Sequence, residues 1–422
     1  MSNDSDLEMD TTDITTYEEQ IEPYKSLFGG CRFLIVLGSF AGMGGAERQA
    51  LLLGEFLKQR IGADVVFLAS SGGDLLEAKL AELDIEYVIS PFGEKANRRE
   101  KITQCFRLLK VIRALKVDFI IPFISYNSKI VGLIWKYTGA QYALWNQRDE
   151  GRGLFGSRLE RFTLQNVKHI VSNSVAGRDA LVNKCGLNPE DVTIINNGIQ
   201  IPDSTQLKRV WREKLGLPPE TLTVSMIANL SYYKDHATLL RAWQKVERHF
   251  ANLQKPVALI LAGAPKKAAD GLKILAFDLR LRNVFMPGRV EDVPTLINDC
   301  DLVVHSSLLE GCPNGVLEAM ALGKPIVGTD IPGIRQALGN RFAEECMCMP
   351  SDPDDLARLM ISFLNDKARR SRIGNANRQR IEEEFSIEKM VCSYLSLIRE
   401  SMDIDRFSTT RQSLKDPVLE LH

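Results

Sequence analysis

No stretch of the 422-residue chain stays apolar for long, and runs such as Phe33–Leu37 fall far short of the roughly 20 residues that a membrane-crossing helix needs. No basic segment followed by an apolar core opens the sequence, so no signal peptide is expected. Neither sign of charge is in surplus. Lys and Arg number 53 against 54 Asp and Glu, and the net charge of −1 gives no global attraction to nucleic acid or anionic lipid. No nucleic-acid partner is expected, and any attraction to a membrane must come from a local patch. Eight cysteines and five histidines are scattered without the spacing of a disulfide framework or a zinc site. Reduced thiols, a cytoplasmic setting and no metal follow as expectations. Cys346 and Cys348 form one close pair, read as buried packing. What remains is an ordinary globular composition, 45% apolar and 25% charged, over a length that suits two domains.

Residues 1–30 carry Asp4, Asp6, Glu8, Asp10, Asp13, Glu18, Glu19 and Glu22 before the first lysine, and are read as a disordered acidic tail. From Cys31 onward, short β-rich runs alternate with amphipathic helical stretches, the pattern of βα units on a parallel sheet. The first run, CRFLIVLGS, enters a glycine turn at Gly44 and Gly45 before a helix, and such turns lie at the carboxyl ends of strands, where α/β sheets place ligands. Residues 97–116 put Ile102, Phe106, Leu109, Ile112 and Leu115 on one helical face, expected to cover the sheet, with Arg98, Arg99, Lys101, Arg107, Lys110, Arg113 and Lys116 around the rest. A solvated basic face is one reading of this helix. Peripheral contact with the inner face of the plasma membrane, suited to a lipid-linked acceptor, is the other. The strand YALW ends in Asn146-Gln147-Arg148-Asp149-Glu150, leading to Gly151 and Gly153, and is read as a functional loop. Asn146 could bond a sugar hydroxyl. Arg148 either faces a phosphate or acidic acceptor, or pairs with Asp149 or Glu150 to order the loop. The repeat pauses at Ile201–Ser204, the candidate hinge, and then restarts.

In the second half, LTVSMIANL leads through Ser231-Tyr232-Tyr233-Lys234 to Asp235, which can cap the following helix. Lys234 therefore lies just before a helix N-terminus, where a cation opposes the local dipole and a bound anion would resolve the conflict. The segment Ser306–Gln336 is the centre of the reading. Asn314 can cap a short helix from about Gly315 to Leu322, in which Val316, Leu317, Ala319, Met320, Ala321 and Leu322 leave Glu318 as the one charge. Glu318 is expected to be buried and to need an arginine or a ligand hydroxyl as donor. The amides of Gly315, Val316 and Leu317 form an anion site between Glu318 and Glu310. The basic stretch Lys367–Arg380 has no interleaved aromatics and is read as a solvated face.

Glu310-x7-Glu318 within EGCPNGVLEAMALGKPIVGTD resembles the signature of the retaining nucleotide-sugar glycosyltransferases of family 4, and GGAE at the first glycine turn is similar to the corresponding loop of that family. The resemblance spans about residues 31–400. It implies a GT-B fold: two Rossmann-like parallel-sheet domains facing each other across a cleft, an N-terminal acceptor-side domain over 31–203 and a nucleotide-sugar domain over 204–385. A helix over 386–402 would cross back to the first domain, before a loose tail at 403–422. It implies that Glu310 lies against the donor sugar, that Glu318 holds the ribose, that Lys234 grips the donor diphosphate with Asn229 standing where relatives have arginine, and that Arg289 and Val290 meet the base. Asn146 stands near the position of a histidine in many relatives. The expected activity is glycosyl transfer from a nucleoside-diphosphate sugar to a glycan, lipid-linked or other small acceptor, as in polysaccharide biosynthesis, with retention and without metal or cofactor. A sugar-nucleotide epimerase or phosphorylase of the same fold, and a non-catalytic nucleotide-sugar-binding or scaffold protein, are the alternatives.

Overall fold

A computed structural model describes residues 11–93 and 97–413. The βα alternation forms two sheets. Strands β1 (Arg32–Leu37), β2 (Asp64–Ala69), β3 (Glu86–Ile89), β4 (Phe119–Pro122), β5 (Tyr142–Gln147), β6 (His169–Ser172) and β7 (Val192–Ile194) make a seven-stranded sheet of order β3-β2-β1-β4-β5-β6-β7. Strands β8 (Leu222–Ile227), β9 (Val257–Ala262), β10 (Val284–Gly288), β11 (Leu302–His305), β12 (Ile326–Thr329) and β13 (Met347–Cys348) make a six-stranded one of order β10-β9-β8-β11-β12-β13. Parallel strands need helical crossovers that cover both faces of the sheet, which is why β9 is apolar and both β9 and β11 are buried from end to end. In both sheets the order reverses beside the first strand of the set, and that switch leaves a crevice at the carboxyl ends of the strands.

The chain packs into two compact units. The first comprises residues 1–146, 157–170 and 388–422, the second 147–156 and 171–387. The breaks fall at 146/147, 156/157, 170/171 and 387/388, where the sequence reading set the boundary between the two domains at 203/204. The segment 147–156 thus belongs with the second sheet.

Three expectations fail in the first unit. Thr11–Phe28, read as disordered, is an 18-residue helix, and residues 1–10 lie outside the described part. Ile21 and Phe28 are fully buried, and the Phe28 ring lies 6.1 Å from Phe33 and 5.6 Å from Phe119. A few apolar residues at helical spacing anchor the helix in spite of its charge. The helix Arg98–Leu115, capped by Asn97 and Glu100, turns Leu108 and Ile112 inward, with Cys105, Leu109, Val111 and Leu115 packed at the edge. Ile102 and Phe106, assigned to the covered face, are 52% and 63% exposed. The 3.6-residue period fits two adjacent stripes, and packing selects the one through Leu108. At the other end, a single helix runs from Ile387 to Ser413, through residues expected to be a loose tail, while 414–422 lie outside the described part.

Candidate active site

Strand β11 delivers the buried His305 to its carboxyl end, and the next five residues are stitched to the turn that follows β8. Ser306 donates through its hydroxyl to the carbonyls of Lys234 (3.1 Å) and Asp235 (3.0 Å), and the Leu308 amide donates to Tyr233 O at 2.8 Å. That turn is a 3₁₀ segment, Tyr232–Lys234. It is followed by Asp235 in the left-handed region at φ 47°, which caps the helix His236–Asn252 by accepting from the Thr238 amide, as the sequence indicates.

The two segments meet at Glu310. Its Oε1 pairs with the Lys234 ammonium and accepts from His305 Nε2 and Ser307 Oγ, each at 2.7 Å. Burial alone would push this carboxyl up. The Lys234 charge and the His305 hydrogen bond outweigh it and hold the group well below the usual carboxylate range. Burial lowers the His305 pKa, and a neutral ring facing a carboxylate must carry its proton on Nε2. His236 is 1% exposed and pushed down to about 3 by burial, with the His305 and Lys234 charges acting the same way. Neither histidine was singled out from sequence. The HSS run at the end of β11, five residues before Glu310, is the one local signal that could have marked His305.

The helix behind Glu310 runs Asn314–Ala321, with Pro313 at its cap position. Asn314 is its first residue and not its cap: its Oδ1 accepts from Asn197 Nδ2 at 2.5 Å, so a tertiary partner takes the side chain that the local pattern offered to the backbone. Gly315 presses on the end of β8, where an added Cβ would stand 2.3 Å from Ile227 O. That contact brings the amides of Gly315, Val316 and Leu317 to the carboxyl edge of the second sheet. Glu318 is half-buried while Val316, Leu317, Ala319 and Met320 are sealed. The helix is thus open along Glu318, yet Glu318 Oε2 is itself buried: the expected burial holds for one carboxylate oxygen and fails for the residue as a whole.

Other predicted residues fall in different places. Arg148 is buried and donates to Asn197 Oδ1 at 2.5 Å, and Asn173 donates to the same oxygen at 3.3 Å. Asn229 Oδ1 accepts from the Ala264 amide at 3.0 Å, which ties the ends of β8 and β9 together. In the turn after β10, Arg289 is exposed and Val290 buried. The second unit thus gathers Lys234, Glu310 and Gly315–Glu318, with Asn229, Arg289 and Val290 on neighbouring strand ends. Gly45, the exposed first residue of the helix Gly45–Phe56, and Asn146 belong to the first unit. Asn146 is an internal residue of β5, fully buried, with Tyr394 donating to its Oδ1 at 3.2 Å.

Sequence reasoning also passed over Glu150, Arg152 and Tyr233. Arg152 lies with its guanidinium carbon 4.1 Å from the centroid of the Tyr233 ring, and its Nε is 2.5 Å from Glu150 Oε1. Among the described residues, no group of three or more His, Cys, Asp or Glu could hold a metal, and no helix is long and apolar enough to cross a membrane.

Residues 43–201 match the family model for Glycosyltransferase Family 4, and residues 208–380 that for Glycosyl transferases group 1. An uncharacterized glycosyltransferase of Methanocaldococcus jannaschii is 27% identical over 227 residues, covering 51% of this chain and 56% of the relative. D-inositol 3-phosphate glycosyltransferase of Salinispora tropica is 22% identical over 283 residues, covering 63% and 57%. The chain thus spans a little over half the length of these curated relatives. Among solved structures, Anabaena HepE in complex with UDP and glucose superposes with a TM-score of 0.74 at 18% identity, over 88% of this chain and 100% of that one, a likeness of fold. The two family models together take in most of the sequence and the folds agree, so this chain belongs to the family 4 glycosyltransferases and has the GT-B fold.

Proposed function

We propose that the protein transfers a sugar from a nucleoside-diphosphate sugar to a glycan, lipid-linked or other small acceptor, with retention at the anomeric carbon. The observation that carries this reading is Glu310, a carboxylate held ionised by Lys234 and His305 at the carboxyl edge of a sheet, directly before a helix whose first amides face the same edge. Cleavage of the sugar–phosphate bond leaves the electron pair on the departing diphosphate and positive charge on the sugar ring. Lys234 and the Gly315–Leu317 amides meet the first charge, and the fixed negative charge of Glu310 and its hold on the donor hydroxyls serve the second. The acceptor hydroxyl adds at the anomeric carbon, and its proton passes to the departing phosphate oxygen. As proposed, the transfer uses no metal and no cofactor. Glu318, on the open side of its helix, holds the ribose, and the turn at Arg289 and Val290 takes the base.

Calorimetry of the donor tests the reading. Glu318→Ala is expected to raise the donor Kd strongly, and unchanged binding would remove the ribose role. Tight donor binding by the wild type with neither transfer nor slow hydrolysis across an acceptor panel would favour the non-catalytic alternative. Interconversion of the donor sugar without acceptor would favour an epimerase.

For a lipid-linked acceptor, the helix Arg98–Leu115 supplies the membrane contact. Ile102 and Phe106 stand exposed among Arg99, Lys101, Arg107 and Lys110, which suits an anionic bilayer on the cytoplasmic side. Co-sedimentation with phosphatidylglycerol vesicles, lost in an Ile102→Asp/Phe106→Asp variant, is the expected result. Equal binding to phosphatidylcholine vesicles would refute it.

A further inference from the structure

The segment 147–156 is built into the second unit by fixed contacts. Asp149 Oδ1 accepts from Gln147 Nε2 at 2.6 Å and from the Gly151 amide at 2.8 Å, and Lys184 Nζ donates to Gly151 O at 2.8 Å. Gly151, at φ +96°, leaves no room for a side chain, since a Cβ there would stand 2.3 Å from that of Ala180. The loop abuts the residue after Glu310: a Cβ on Gly311 would lie 3.2 Å from Asp149 Cα. It carries Arg152 to the ring of Tyr233, whose centroid is 4.1 Å from the Arg152 guanidinium carbon and 5.5 Å from Lys234 Nζ. One tyrosine ring is thus bracketed by two cations, a distance at which cation–π attraction holds both.

Charge bookkeeping makes the second cation matter. Lys234 is already neutralised by Glu310, so the pair brings no net positive charge to a diphosphate, and the helix amides supply only about half an elementary charge. Arg152 is different. Its side chain is 42% exposed against 15% for Lys234, and although Glu150 and the Tyr233 hydroxyl engage part of the guanidinium, its five N–H donors leave others that can meet phosphate oxygens. Its carboxylate partner is a poor one. Glu150 is 9% exposed; burial first disfavours its ionised form, its backbone hydrogen bond and the Arg152 charge oppose this, and the charges of Asp149 and Glu310 add to the burial effect. Burial thus weakens the hold of Glu150 on Arg152, which favours exchange for a phosphate.

We propose that Arg152 is the second cation of the nucleoside-diphosphate site, poised beside Lys234 on Tyr233 and handed over from Glu150 when the diphosphate binds. The inference rests on the donor reading above, which named Lys234 and the helix amides but no residue of this loop. It makes Glu150 a positioning residue, which holds Arg152 beside Tyr233 and competes with the diphosphate for it.

Titration calorimetry with UDP and GDP, and with UMP and GMP as shorter probes, separates the two. Arg152→Gln is expected to weaken the better diphosphate about tenfold or more while its monophosphate changes less than about threefold, with Arg152→Lys recovering part of the loss. Glu150→Gln, close in shape, is expected to tighten the diphosphate a few-fold, an effect that a merely structural role would not produce. Circular dichroism confirms that each variant is folded. A diphosphate Kd within twofold of wild type in Arg152→Gln, an equal loss for mono- and diphosphate, or weaker binding in Glu150→Gln would overturn the assignment, while a strong loss in Lys234→Gln would leave the donor reading standing. A wild type that binds neither UDP nor GDP would overturn both.

Discussion

Strands β5 and β11 both end in a run of polar residues, and the two ends are put to different uses. At β5, the guanidinium of Arg148 and the amides of Asn173 and Asn197 answer one another, and Asn197 passes the connection on to Asn314. At β11, three donors converge on one oxygen of Glu310 and keep a full charge in a buried place. A network of hydrogen bonds between neighbouring side chains fixes a chain in position. A buried ion kept ionised by its neighbours is expensive by itself, and its retention points to a ligand.

The largest expected effect comes from breaking the second arrangement. Lys234→Met should lower turnover about 100- to 1000-fold, the usual loss when one preorganised donor to a developing anion is removed. It should also destabilise the fold by about 3–5 kcal/mol, because Glu310 is left as a buried charge without its cation. The double variant Lys234→Met/Glu310→Gln separates the two consequences. Denaturant unfolding should show most of the stability restored, while turnover stays low. Wild-type turnover in Lys234→Met would remove this lysine from the mechanism and put β11 in the same class as β5.

Arg148→Met tests the other side. It leaves the Asn197 oxygen short of a charged donor, and a loss of about 1–3 kcal/mol in unfolding free energy is expected. Donor Kd and acceptor KM should both stay within a few-fold of wild type. A selective rise in acceptor KM would restore the acceptor contact that the sequence suggested for Arg148.

Acid should distinguish the two ends as well. Glu310, His305 and His236 all have folded-state pKa values below their ordinary ones, so the unfolded chain binds more protons at each, and stability is lost as pH is lowered. For His236 the loss begins as pH drops through about 6.5 and continues to about 3, which amounts to about 2 kcal/mol by pH 5. Glu310 adds to it only below about 4.5. Glu150 works in the opposite direction: burial raises its pKa, so the fold favours the neutral form and gains stability as pH falls through the window just above 4.5. Unfolding free energies of wild type and His236→Gln between pH 7 and 5 should converge or cross, and parallel curves would count against a proton-sensitive His236.

The parts of this architecture that were legible in the sequence are those that local signals encode. Alternating runs gave the parallel sheets, Asp235 announced its helix, and the Glu310–Glu318 segment marked the residues proposed here as the donor site. What escaped depends on partners far away along the chain. Lys234 and Glu310 are 76 residues apart, Asn197 and Asn314 are 117, and no local pattern could show that Asn314 would be drawn from its capping role by Asn197. The segment 147–156 follows a strand of the first sheet, and its membership of the second unit is set by glycines packed against Ala180 and Lys184. The N-terminal helix misled through composition: its charge suggested disorder, while Ile21 and Phe28 at helical spacing were enough to dock it.

The smallest expected effect concerns a helix whose covered face was placed one stripe away from the observed one. If Leu108 and Ile112 form the packed stripe, Leu108→Ala and Ile112→Ala should each cost about 2–5 kcal/mol, since both are sealed in the core of the first unit. Ile102→Ser and Phe106→Ser, at exposed positions, should change unfolding free energy by less than about 0.5 kcal/mol. The pattern of costs along one helix separates the two stripes without reference to any ligand. Equal losses at all four positions would restore the face drawn from periodicity alone, and with it the solvated-basic reading, because Ile102 and Phe106 would no longer be available to a bilayer.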